Sequence, residues 1–104
     1  MANGNNNTDN DSLMLERMGE ALTILMLKFR QSNIDDRAIL RPSLFELMNN
    51  SADYQKRLLN EGVITTEEDI EDMKVIRLEM DRAAGRQALL LAIARTSIFI
   101  ATKI

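Results

Sequence analysis

"DRAAGRQALLLAIARTSIFIATKI" runs from Asp81 to Ile104, and beyond Arg86 its only charges are Arg95 and Lys103. Ala88 to Ala94 is an unbroken apolar run, and in a helix it covers every side of the cylinder. So much apolar surface has three possible destinations: a membrane, a core within the chain, or the surface of another chain. A spanning helix needs about 20 mostly apolar residues. Arg95 in mid-stretch would cost about 2.5–3.5 kcal/mol at the bilayer centre. Two charges do not make the basic face of an interfacial helix either. The stretch is therefore not membrane-spanning, and the choice lies between an internal core and a second chain.

The residues upstream extend the same helix. "TTEED" offers a capping box, Thr65 with Glu68, followed by a strongly acidic first turn that suits the positive end of the helix dipole. No stop follows except a possible kink at Gly85. The spacing predicts one helix over 66–103, about 57 Å long.

Two shorter helices precede it. Met14, Met18, Leu22, Leu25 and Phe29 recur at three and four residues and predict a helix over 12–31, capped by Asp11 or Ser12. The next segment, "QSNIDDRAILRP", reads as a connector with at most a short turn over 35–40, because Pro42 disfavours helical geometry at Arg41. Ser43 and Glu46 form a capping box that predicts a helix over 43–61, closed by Gly62. Residues 1–11, half of them Asn, offer almost nothing to bury and read as a flexible Asn-rich tail. Asn5, Asn7, Asp9 and Asp11 approach the ligand spacing of a calcium loop. That pattern lacks the central glycine, which Asn10 replaces, and lacks a preceding helix.

Composition supports an all-α protein of one domain over 12–104. The 104 residues are 45% hydrophobic and 28% charged, with seven Met, one Pro and no Trp. That set favours helices and flexible core packing over sheet. The expected architecture is a three-helix bundle or hairpin with a disordered tail and a long C-terminal helix.

Chemistry is poorly represented. Without His or Cys the chain lacks the commonest general base, the strongest common nucleophile and the usual zinc ligands. Carboxylate pairs such as Asp35-Asp36 and Glu67-Glu68 stand at helix starts, where capping accounts for them. The expectation is no enzyme, no catalytic residues, no cofactor and no metal. A net charge of −3 and the acidic residues interspersed with Arg77, Arg82, Arg86 and Arg95 argue against nucleic acid. No secretion signal is visible, which suits a cytoplasmic protein.

What remains is protein. Ala84, Ala88 and Ala92 repeat at four, a spacing that lets helix backbones approach closely. Leu91, Arg95, Ile98 and Phe99 complete the face expected to meet another chain. The sequence thus points to a non-enzymatic helical interaction module: an adaptor, chaperone, antagonist or assembly component. It would form a homodimer or higher oligomer, and bind a further protein, through its C-terminal helix. A structural subunit of a filament, secretion apparatus or virion is the alternative, and a small nucleic-acid-associated regulator is a third.

Overall fold

The computed structural model describes residues 6–61 and 64–104, with side chains from residue 10 onward. It is all-α. Four helices follow one another among the described residues: α1 (Asn6–Gln31), α2 (Ile34–Asn60), α3 (Glu67–Arg82) and α4 (Gly85–Ala101). Each sends a three-four stripe inward. Met14, Met18, Ala21 and Leu25 on α1 meet Met73, Ile76 and Met80 on α3. Leu40, Leu44, Leu47, Tyr54 and Leu58 on α2 meet Leu89, Ile93 and Ile100 on α4.

The helix directions follow from contacts at their ends. Asp11, near the start of α1, accepts hydrogen bonds from the backbone N–H groups of Ile64 and Thr65, just before α3. Lys28, near the end of α1, donates to the carbonyls of Asp81 and Ala83 where α3 stops, at 2.5 and 2.6 Å. α1 and α3 therefore run the same way. Asp36 at the start of α2 pairs with Arg86 at the start of α4, and Arg57 near the end of α2 donates to the carbonyl of Lys103. α2 and α4 are parallel too. The two parallel pairs run in opposite directions, and the molecule measures 50 × 23 × 18 Å.

Four features correct the sequence expectations. The first helix begins at Asn6 rather than at residue 12, and Asp11 is buried inside it, only 5% exposed. The part of the expected flexible tail over 1–5 lies outside the described residues, as does the Gly62 stop.

Second, α2 passes straight through Pro42, so Ser43 caps nothing. The helix starts instead at Asn33, whose side-chain oxygen accepts from the Asp36 N–H at 2.8 Å, with Asp35 and Asp36 in the first turn. Ala38 and Pro42 are both exposed, so water can serve the carbonyl to which Pro42 has no N–H to donate. Third, the capping box of α3 is Thr66 with Asp69, one residue later than expected, with reciprocal bonds of 3.0 and 3.1 Å.

Fourth, the long helix over 66–103 does not exist. Ala83 and Ala84 are extended, and Gly85 adopts a left-handed φ of +84°. The chain reverses there, and the fold gains a fourth helix. Lys28 explains part of this break, since it takes two carbonyls that a continuing helix would have used. Folding back also lets Leu89, Ile93 and Ile100 bury against α2.

Gly85→Ala is expected to destabilise the fold by about 1–2 kcal/mol, the cost of a left-handed L-residue. A Cβ at this position would meet open space, with nothing within 4 Å, so no steric clash adds to that cost. Pro42→Ala should act oppositely. The helix regains a hydrogen bond, partly offset by the greater freedom of the unfolded chain, for a net gain of about 1–2 kcal/mol. Thermal and urea unfolding of both variants measure these effects, and an unchanged Gly85→Ala variant would contradict the assigned turn.

Candidate protein-docking groove

The reversal at Gly85 lays α4 back along α3 and leaves a groove on the outer side of the pair. Its larger hollow, about 580 Å³, is mainly apolar and includes Arg82, Ala88, Leu91, Ala94 and Ile98 in its lining. A second hollow of about 300 Å³ continues it past Arg95 and Ile98 to Phe99, Val75 and Asp72. Arg95 crosses between the helices, its Nη1 2.5 Å from Glu79 Oε2. Arg95 is well exposed and Glu79 partly so, and this ion pair sets register more than it adds stability.

The predicted interface residues divide among three environments. Leu91 and Ile98 stand out into solvent at 65% and 68% exposure, and Arg95 is also exposed. Ala88 and Phe99 are half-buried at the groove wall, with Lys103 Nζ 5.0 Å from the centre of the Phe99 ring. Ala92 is buried in the chain's own core, and Ala84 lies in the turn rather than on the helix. The alanine repeat at four therefore forms no single exposed face. Beside it, Leu91, Ala94, Ile98 and Ala101 do form one: all four are exposed at three-four spacing. Val75 and Leu78 on α3 are exposed as well. Neither is expected from the sequence, because a single long helix would place both far from Ile98.

A second cluster lies at the opposite end from the Gly85 turn. Tyr54 is fully buried, and Asp11, Thr65 and Asp69 are nearly so. Lys103 Nζ lies 2.5 Å from Asp69 Oδ1. Burial, reinforced by the negative charge of Asp69, pushes the Tyr54 hydroxyl up to about 12. Burial alone would raise Asp69, but hydrogen bonds from Lys103 and Thr66 and the Lys103 charge hold its carboxyl below the usual 3.8. Neither group exchanges a proton near neutrality, so the cluster serves to join helix ends. Among the described residues, no three His, Cys, Asp or Glu side chains converge as a metal site, and no helix is long and apolar enough to cross a membrane.

The cluster has two pH signatures. The Tyr54 contribution is intact below pH 10, the ordinary tyrosine value, and is lost as pH rises toward about 12. The Asp69 contribution is intact above 3.8 and is lost as pH falls through its lowered folded value. Ultraviolet absorbance of Tyr54, the sole tyrosine, should show ionisation near 12 or at alkaline unfolding. A simple transition at pH 10 in the folded protein would contradict its burial.

No family model, no curated protein and no solved structure matches this chain, so its functional reading rests on the groove.

Proposed function

We propose that this protein acts by binding another protein surface in the α3–α4 groove, as a small helical interaction module. One observation carries the reading: Leu91 and Ile98, both about two-thirds exposed, stand beside a largely apolar hollow of about 580 Å³. Large apolar side chains grouped in this way mark interaction surfaces, whereas isolated ones need no explanation. An apolar channel between two helices suits a partner helix with anchors three or four residues apart. An adaptor, chaperone, antagonist or assembly component would use such a surface, and none of these roles needs a catalytic group.

Photo-crosslinking tests the reading directly. A photoreactive residue at exposed Ala94 should yield covalent protein adducts, while one at exposed Asn49 on α2 should not. Adding Leu91→Glu should remove the Ala94 adducts without unfolding the chain, because Glu is a good helix former and position 91 is exposed. Equal adducts from both positions, or none from Ala94, would contradict it.

A further inference from the structure

We infer that the occupant of the groove is a second copy of this chain, docked antiparallel about a two-fold axis perpendicular to the helices. The inference rests on the reading of the groove as a docking surface and adds the identity and orientation of the partner.

Charge carries it. Asp72 and Arg82 lie at opposite ends of the groove lining, both exposed. Among the described residues neither takes part in an ion pair, whereas Arg95 and Glu79 between them pair with each other. They stand ten positions apart on α3, about 15 Å along its axis. A second copy turned end for end brings Arg82 opposite Asp72 at one end and Asp72 opposite Arg82 at the other. A copy docked groove to groove in the same direction would instead set like charge against like.

The apolar stripe obeys the same symmetry. Reversing α4 against itself about a point between Ala94 and Arg95 sets Leu91 of each copy over Ile98 of the other. The small Ala94 side chain at the centre leaves room for the two helices to approach. The registers on the two helices also agree. The point midway between Asp72 and Arg82 is Arg77, two residues from Glu79, and Glu79 is held level with Arg95 by their ion pair. The two centres differ by about 3 Å, so around the axis set by the apolar stripe each Arg82 falls about 6 Å along α3 from the Asp72 it faces. The long arginine side chain spans that shift, so an axis near Ala94 joins the stripe and still brings the opposite charges together. Such an interface uses the same patch on both chains, so assembly closes at two copies.

Sedimentation equilibrium of the full-length protein from micromolar to millimolar concentration tests this, with circular dichroism confirming that each variant is folded. Wild type should reach a dimer and stop. Asp72→Arg and Arg82→Asp should each weaken association by about tenfold or more, since two-fold symmetry repeats each mismatch. The double variant Asp72→Arg/Arg82→Asp should recover most of the loss. A wild type that remains monomeric while Ala94 still crosslinks to a different protein would overturn the inference and leave the docking groove standing. A dimer indifferent to both charge reversals, or growth beyond two copies, would overturn the proposed geometry. A dimer that survives Leu91→Glu with Ile98→Glu would overturn the groove reading as well.

Discussion

The left-handed turn at Gly85 is the constraint on which the rest of the structure depends. With φ at +84° the chain cannot continue α3, and the apolar C-terminal segment must find partners beside it. Folded back, Leu89, Ile93 and Ile100 reach the core formed with α2, and the remaining face of the segment becomes one wall of a groove. A continuous helix would have lost the first set to solvent and formed no groove. Glycine tolerates this backbone without the penalty of a Cβ, and the preceding extended pair, Ala83 and Ala84, completes the turn.

The turn also imposes a cost that other residues offset. Each close helix pair, α1 with α3 and α2 with α4, is parallel, which sets like ends of two helix dipoles side by side. The side chains of the longer helices counter this at the ends. Asp11 presents a carboxylate to the N–H groups ahead of α3, and Lys28 brings an ammonium to its final carbonyls. At the end of α4, Arg57 donates to the Lys103 carbonyl. These are charge-assisted hydrogen bonds, each worth about 1.5–3 kcal/mol where buried. The N-terminal helix thus fixes both ends of a helix that lies more than fifty residues away in sequence.

Much of this is legible in the sequence, and the rest is hidden for identifiable reasons. The core positions of α1, the all-helical class and the exposed apolar character of Leu91 and Ile98 follow from spacing and composition. Asp11 reads as part of a tail because its donors, the Ile64 and Thr65 N–H groups, are brought to it only by the tertiary fold. Pro42 reads as a breaker, yet the stronger local signal is Asn33 followed by Asp35 and Asp36, a cap with an acidic first turn. Gly85 is visible as a kink but not as a reversal, because the competing cap, Lys28, comes from another helix. The same gap hides Val75 from the candidate groove, since only the hairpin sets α3 beside Ile98.

The docking groove is a product of this geometry. The turn both buries one side of α4 and presents the other, so the exposed stripe follows from how the core is built. The central claim is therefore the reversal itself, and a distance measures it most directly. The chain has no cysteine, so cysteines introduced at Glu71 and Thr102, both exposed, can each carry a single spin label without background. In a hairpin with neighbouring axes about 8–10 Å apart, pulsed electron resonance at low protein concentration should report a separation within about 20 Å. A separation of about 46 Å, the length of an uninterrupted helix between those positions at 1.5 Å per residue, would contradict the account.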